Sequence, residues 1–576
     1  MATESTPFMA GDFVYGAAAQ SATYDVEASS SKSLDVKVEE VPPLSEDHVQ
    51  RTGILSWFTR SSNQVDPDRI ATQPSVFDTD DASLFEPSDK YENKHRFDPL
   101  FRWTWRDQAD STRRADFNIL PWCMLLFFAL DIDRSNITNA TADDLLPDLG
   151  LTQADYNLGQ TLSKVGFLVA ELPSQLVSKR IGPDRWIPAQ IIIFSVLSGA
   201  QFWMKGRASF LALRFLIAFF QGGFIPDTIL YLSYFYSTTE LPIRIAIFYT
   251  INPFADLVTA FLSVGMLKMR GVQGYAGWRW MFLLMALITL VIGIFAAISM
   301  PSSPTKTKSI LRPKGIFNEK QEKIITNKIL RDDPGKASMH NRQLLTPKML
   351  FRSIFDWDQL PLLLLGFTFN LPSYPVKNYL QISFRDLGFS TVMSNLLTIP
   401  YIAGSIVTVV AAACLSEVVN DRGFVGTIQA IWMLPCFIAL LVLKSPGPWS
   451  YFGISTVLLA YPNVQPILIA WTSANSGDVS NRTVSASLFN MFVQVSAIAG
   501  SNVYQKGDKN YTKANSALVG VLCANLLLFP ATKLYYILRN KYKQRKWNAM
   551  TPEERLHYSR TTTDRANKRL DFKFTH

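Results

Sequence analysis

The feature that most constrains this chain is a succession of apolar runs, each about 18 or more residues long and nearly free of charge. One α-helix needs a run of that length to cross roughly 30 Å of hydrocarbon. Charge is excluded from these runs and collects in residues 1–120, in 301–356 and after 538. Only 18% of residues are charged, against roughly 25% in soluble chains. The pattern predicts an all-α membrane protein, although 576 residues would allow several soluble domains.

Cys123, Cys414, Cys436 and Cys523 all lie inside apolar runs. Buried free thiols fit that placement, because a disulfide or metal framework needs clustered, loop-borne cysteines. The five histidines form no HExxH, and there is no GxxxxGK(S/T) phosphate loop. A zinc enzyme and an ATP-driven pump are therefore excluded, and no cofactor or metal is expected. The net charge of +9 sits beside apolar helices, where membrane orientation explains it without nucleic acid. Residues 1–50 are acidic and lack an apolar signal-peptide core, so the first span should act as the targeting signal.

Residues 1–88, rich in Ser, Asp and Glu, read as a disordered cytoplasmic tail. Over 89–117 basic and aromatic residues interleave, as in Arg102-Trp103-Thr104-Trp105-Arg106. That composition suits a juxtamembrane segment lying against anionic headgroups. Twelve spans are predicted. Six fall near 118–138, 155–177, 186–204, 209–236, 243–267 and 278–300, and six near 358–382, 390–415, 424–443, 450–474, 483–505 and 516–538. A polar connector, 301–357, separates an N-terminal half (118–300) from a C-terminal half (358–538). The connector is rich in Lys and Arg, and the 539–576 tail opens with Arg539, Lys541, Lys543, Arg545 and Lys546. By the positive-inside rule both are cytoplasmic. The first outer loop carries Asp143, Asp144 and Asp148; Lys268, Arg270 and Lys506 are exceptions on the outer side. Asn318-Glu319-Lys320-Gln321 has the form of a helix N-cap with its box partner, predicting a short amphipathic helix to about Arg331.

Six spans, a connector and six more spans is the plan of a transporter built from two repeats. Spans four and ten are interrupted at matching depth, by Gly222-Gly223-Phe224-Ile225-Pro226-Asp227 and by Tyr461-Pro462-Asn463-Val464-Gln465-Pro466. Spans one and seven carry polar groups at matching depth: Asp131, Asp133 and Arg134 against Asn370, Tyr374 and Lys377. Paired interruptions point to a midplane site, and freed carbonyls are tolerated mainly where a cavity or neighbouring helix supplies partners. The plainer alternative is that the prolines only kink packed helices. In span two, Asn157, Gln160, Lys164, Glu171 and Gln175 fall on one helical face. A charge at mid-bilayer costs on the order of 3 kcal/mol, so this stripe must face the bundle interior or water. Lys164 is either paired with a carboxylate or open to an anion. Arg214 and Asp256 are further intramembrane charges, and Asp131 and Arg134 can pair on one face. Of four Asn-x-Ser/Thr sites, only Asn139 and Asn510 would face outward.

Several stretches then combine in order. They are Asp133-Arg134-Ser135-Asn136-Ile137, Glu171-Leu172-Pro173-Ser174, Gly182-Pro183-Asp184-Arg185-Trp186, Gly277-Trp278-Arg279-Trp280, Asn395-Leu396-Leu397-Thr398-Ile399-Pro400 and Trp471-Thr472-Ser473-Ala474-Asn475. Over about 90–576 the chain resembles the fungal anion:cation symporters of the major facilitator superfamily, the allantoate permease group. Phe224 to Tyr236 and Ile329 to Pro334 look similar to the alternative sulfate and sulfonate branch. The resemblance implies twelve transmembrane helices in the major facilitator fold, with both termini cytoplasmic. It also implies proton-coupled uptake of a small anion such as sulfate, a sulfonate, allantoate, nicotinate or pantothenate. Lys179 stands where the superfamily loop motif has Asp, Glu417 takes that place in the second half, and Gln221 replaces a family Glu.

The site expected from these readings has Lys164, Arg134 and Lys377 as anion contacts, with Gln160 beside them. Asn463, Gln465, Asn490 and Gln494 line it from the second half, and Asp131, Asp133 and Glu171 are candidates for carrying the proton. Arg185, Arg244, Glu417 and Arg422 are the gating candidates. The partners expected are the anion, the proton and the bilayer, for a monomer in the plasma membrane. The competing class is a nutrient sensor that binds but transports little, with the acidic tail as its signalling extension.

Overall fold

The computed structural model describes residues 44–45, 66–78, 82, 86–87, 89, 91–237, 240–309, 312–332, 356–419, 421–443, 447–476, 479–505, 511–562, 566–570 and 572–575. Helices occupy each of the twelve stretches predicted to span, and no β-strand is formed among the described residues beyond isolated bridges. Before the first of them lies α1 (Trp105–Asn118). The first half is α2 (Leu120–Ala140), α3 (Gln153–Ile181), α4 (Pro183–Ala200), α5 (Arg207–Gln221), α6 (Phe224–Leu232), α7 (Leu241–Tyr249), α8 (Ile251–Leu267) and α9 (Gly277–Ser299). The connector holds α10 (Glu319–Asp332). The second half is α11 (Leu360–Thr368), α12 (Ser373–Asp386), α13 (Thr391–Leu396), α14 (Ile399–Val419), α15 (Arg422–Val442), α16 (Pro448–Leu459), α17 (Gln465–Ala474), α18 (Val479–Ser501) and α19 (Thr512–Asn548).

Local chemistry sets these boundaries. Thr152 caps α3 in a reciprocal box with Asp155, and Gly182, at φ 99°, ends it one residue before Pro183 opens α4. The expected Asn318 cap is present: its side chain accepts from the Gln321 amide at 2.8 Å, and Gln321 returns the bond at 3.2 Å. Eight helical stretches are long and apolar enough to cross a membrane. The four predicted spans outside that set are the second, seventh, tenth and eleventh, which carry Lys164, Lys377, Asn463 with Gln465, and Asn490 with Gln494. The seventh and tenth are broken into helices of 9 and 14 and of 12 and 10 residues, while the second and eleventh are long helices of lower apolarity. Outward, Val196, Leu287, Phe295, Val407, Ile431 and Leu527 are each more than half exposed. That apolar belt suits hydrocarbon and not water.

The connector, the segment before α1 and the C-terminal tail share one face of the bundle, called here the connector face. Within the stretch expected to be a tail, residues 66–78 fold against α10 and the 99–103 segment. The Arg331 guanidinium donates to the Gln73 and Pro99 carbonyls at 2.9 and 3.0 Å and pairs with Asp78. The bases of 89–117 turn to these neighbours: Arg96 pairs with Glu322 at 2.9 Å and Arg102 with Asp78 at 3.3 Å. α10 docks on the bundle through Lys328, whose ammonium meets Glu240 at 2.8 Å and Thr112 at 3.1 Å. On the second half, Thr575 is gripped by Asn475, Trp471 and Arg422 at 2.8–3.1 Å, and Phe574 stacks on Tyr536.

On the opposite, far face Arg270 pairs with Asp143 and Asp148, both at 2.9 Å. These carboxylates also accept from the Trp278 amide at 2.8 Å and its indole at 2.9 Å. Arg270, expected on the outer side as an exception to the charge rule, is thus neutralised in place.

α3 and the α5–α6 break approach so closely that a Cβ on Gly223 would overlap the Ser174 side chain. Gly223→Ala is expected to lower stability by about 1–3 kcal/mol, read as a fall in the unfolding temperature of the purified protein. Burial pushes the Glu240 carboxyl up, but the Lys328 ammonium outweighs burial and the group ends below the usual carboxylate range. Docking of α10 should therefore be intact at neutral pH and be lost as pH falls below about 4. Hydrogen exchange over 319–332 should accelerate there, and already at neutral pH in Glu240→Gln.

Candidate functional site

α2 presents Asp131, Arg134 and Ser135 on one face. The Arg134 guanidinium lies 3.7 Å from Asp131, donates to Gln221 of α5 at 3.3 Å and stacks on the Phe167 ring of α3 at 4.9 Å. Across from it, α8 contributes Asp256 and α12 contributes Lys377, which pair at 2.9 Å. The Ser135 hydroxyl donates to the second Asp256 oxygen. This pair joins the two halves, and it lines a cavity of about 100 Å³ with Asn252, Ser373, Tyr401 and Asn463.

Lys164 stands apart from this network. It is partly buried, and among the described residues its ammonium makes no hydrogen bond or ion pair. Its electrostatic neighbours include Arg134, Arg214 and Lys377, with Asp131 as an attractive carboxylate.

The helix breaks beside the cavity are closed by one side chain. Gln429 of α15 donates to the Phe369 carbonyl, left open where α11 ends, at 3.0 Å. Its amide oxygen accepts from Val464 in the α16–α17 break at 3.2 Å. Tyr461 donates to Asn370 at 2.7 Å, tying the two breaks together again. Pro466 sits in the first turn of α17, where its missing N–H leaves nothing unpaired.

The other expected residues are placed as follows. Gln160 is buried, donates to the Tyr156 hydroxyl at 3.0 Å and accepts from Arg214 at 3.4 Å, so it serves the helix packing. Asn463 lines the cavity and accepts from the Gln465 amide at 2.9 Å. Asn490 and Gln494 are half-buried on α18, one turn apart. Asp133 accepts from Ser198 at 3.0 Å and Thr289 at 3.3 Å, a structural knot away from Arg134. Glu171 is buried on α3. Arg185 lies beside Val177, Arg180 and Ile181 at the start of α4. Arg244 makes a two-pronged pair with Asp116 at 2.8 and 3.0 Å. Arg422 reaches Thr575 at 3.0 Å. Glu417 lies near the end of α14, and its side chain falls outside the described residues. Sequence reasoning noticed Asp256 as a membrane charge without assigning it to the site, and it passed over Asp227.

Hydrogen bonds that join the halves among the described residues lie at the cavity or on its far-face side. Tyr156 donates to the Asn378 carbonyl at 3.2 Å, Asn157 to the Tyr504 carbonyl at 3.2 Å, Asn502 to Thr161 at 2.8 Å and Gln381 to Asn139 at 3.2 Å. Such an arrangement closes a central cavity toward one face.

The family model described as Major Facilitator Superfamily matches residues 123–501. An uncharacterized transporter of Saccharomyces cerevisiae is 40% identical over 493 residues, 85% of this chain and 91% of that protein. A putative tartrate transporter of Agrobacterium vitis is 33% identical over 201 residues, 35% of this chain and 44% of its own. Among solved structures, the proton:xylose symporter XylE aligns with a TM-score of 0.55 at 15% identity, over 72% of this chain and 94% of that one. A bacterial homolog of the human lysosomal transporter Spinster, inward-facing and unoccupied, aligns with a TM-score of 0.52 at 14% identity, over 73% and 94%.

The Lys377–Asp256 pair is testable by a double-mutant cycle of Asp256→Asn and Lys377→Met. Lys377 is 46% exposed, so the coupling energy expected from thermal unfolding is about 1 kcal/mol and not the several of a dry pair.

Proposed function

The chain belongs to the Major Facilitator Superfamily and is a multi-pass membrane transporter of that type, and within it we propose that the cargo is a small anion moved together with a proton. Lys164 carries this reading. Lys164 has Arg134, Arg214 and Lys377 around it, and against the carboxylates Asp131 and Asp256 these four cations leave two positive charges over. An unmatched ammonium in a low-dielectric site is costly unless a ligand supplies the opposite charge. The anion would sit between Lys164 and Arg134, with Lys377 reached by displacing Asp256. Asn463 contributes from the second half, and Gln465, Asn490 and Gln494 are the further polar groups on that side.

The motif order along the chain supports the allantoate permease group, and the sulfate and sulfonate branch within it. The tartrate named for the Agrobacterium relative is itself a small carboxylate. In this reading twelve helices cross the plasma membrane, the connector face is cytoplasmic, and a single chain is the working unit. The far-face bonds then make this an inward-facing form that exchanges with an outward-facing one as the halves rock about the cavity. Asp131, Asp133 and Glu171 remain the acids proposed for coupling; Asp131 has the substrate-side partner, Arg134. Arg185, Arg244, Glu417 and Arg422 are proposed to gate.

The test is labelled uptake in cells lacking their own anion permeases. The panel is sulfate, a sulfonate, allantoate, nicotinate, pantothenate and biotin, each at two pH values. At least one anion should accumulate, and faster at the lower outside pH. Lys164→Ala should weaken apparent affinity roughly ten- to a hundredfold, the loss of one charged contact of about 1.5–3 kcal/mol. Unchanged affinity and rate at normal surface expression would remove Lys164 from the site.

A further inference from the structure

Away from the cationic cavity, α3 and α6 bring two carboxyls together with no base beside them. Glu171, Ser174 and Ser178 stand at i, i+3 and i+7, on one face of α3. Asp227 lies in the first turn of α6, directly after the glycine break that allows the close approach. Glu171 is 2% exposed and Asp227 is 0% exposed. The Ser174 hydroxyl donates to one Asp227 oxygen at 3.0 Å while accepting from the Trp186 indole at 2.8 Å and the Gln190 amide at 2.7 Å. It has no capacity left. The other Asp227 oxygen and one Glu171 oxygen are buried without a hydrogen-bond partner. So is the Ser178 hydroxyl, which stands beside Asp227.

The groups that reach this pocket from α4 and α7 are neutral. α4 presents Trp186 and Gln190. α7 presents Tyr249, a phenol that interacts with Glu171 and also with Arg134 and Asp131. Among the described residues no Lys, Arg or His interacts with either carboxyl. Two buried carboxylates without a cation cannot both hold their charge. An O–H on one carboxyl would also give the unpartnered oxygens a donor, and Ser178 could supply another.

We propose that Glu171 and Asp227 form a proton-binding site that holds one proton between the two carboxyls and delivers it during the transport cycle. Loading forms one O–H bond on a carboxylate oxygen, with the proton taken from a hydronium ion that leaves as water. Unloading returns that proton to water when α3 and α6 part. Tyr249 lies within electrostatic reach of both this site and the Arg134–Asp131 pair, so charge at one is felt at the other. The delivery role rests on the proton-coupled reading above; the binding of the proton does not.

The experiment is infrared difference spectroscopy on the purified full-length chain in lipid nanodiscs, stepped in pH. A protonated-carboxyl band is expected at neutral pH. It should vanish in Glu171→Gln and shift or vanish in Asp227→Asn. If either variant does not purify as a folded protein, Ser174→Ala keeps both acids, removes the Ser174 hydrogen bond to Asp227 and should shift the band. A band unchanged in all three overturns the site. For any anion taken up in the panel, Glu171→Gln should lose at least tenfold in proton-driven accumulation while retaining exchange of labelled for unlabelled anion. Accumulation equal to that of the unaltered chain overturns delivery. If no anion is taken up, the anion reading falls, and the infrared result still decides the proton site.

Discussion

Inside hydrocarbon a backbone carbonyl or amide has no water to turn to, and the helices can break only where some other group answers it. In the second half that group is Gln429. It binds the open carbonyl of Phe369 and the open amide of Val464 with the two ends of one side-chain amide. Both interrupted spans are therefore held from a single point on α15. Of the cavity residues, Asn463 lies in one of those breaks and Lys377 one turn past the other, and both inherit their positions from it. A glutamine can do this because its donor and acceptor point in opposite senses from one planar group; no carboxylate or lysine could replace both bonds.

The same low dielectric governs the charges. On the connector face and the far face the bases find acids: Lys328 with Glu240, Arg244 with Asp116, Arg270 with Asp143 and Asp148. These pairs position loops and helix ends. The midplane departs from this pattern in both senses. Lys164 has surplus positive charge around it, and Glu171 with Asp227 has surplus negative capacity. Structures tolerate such imbalance where something mobile restores neutrality. The two imbalances lie on the same helix, α3, seven residues apart.

Much of this was legible from residue order alone. The helices followed from the apolar runs, and the polar stripe of α3 from the spacing of Asn157, Gln160, Lys164 and Glu171. The breaks followed from Gly222-Gly223 and from Pro462 with Pro466. The pairings between distant elements were not legible. Asp256 and Lys377 are separated by 121 residues, and nothing local distinguishes them from unpaired charges. Gln429 reads as one polar residue in an apolar run, with no periodic partner to mark it. The bases of 89–117 looked suited to headgroups because their partners, Glu322 and Asp78, lie in segments whose folding against them no periodicity reveals. Asp227 was passed over because its neighbours Gly222, Gly223 and Pro226 gave that stretch a sufficient reading as a kink.

The grip on Thr575 has a mechanical consequence. By holding the ends of α15 and α17 through Arg422, Trp471 and Asn475, while Phe574 rests on α19 at Tyr536, the final residues act as a strap across three helices. A strap of so few residues has almost no slack, and it ties those helix ends into one lever arm. Rocking of the second half on this face must then carry α15, α17 and α19 as a block. The start of α11 is bound into the same block, by Gln359 on the Asn475 carbonyl and by Asp358 on Arg539, so bending is left to helices such as α14 that these contacts do not reach.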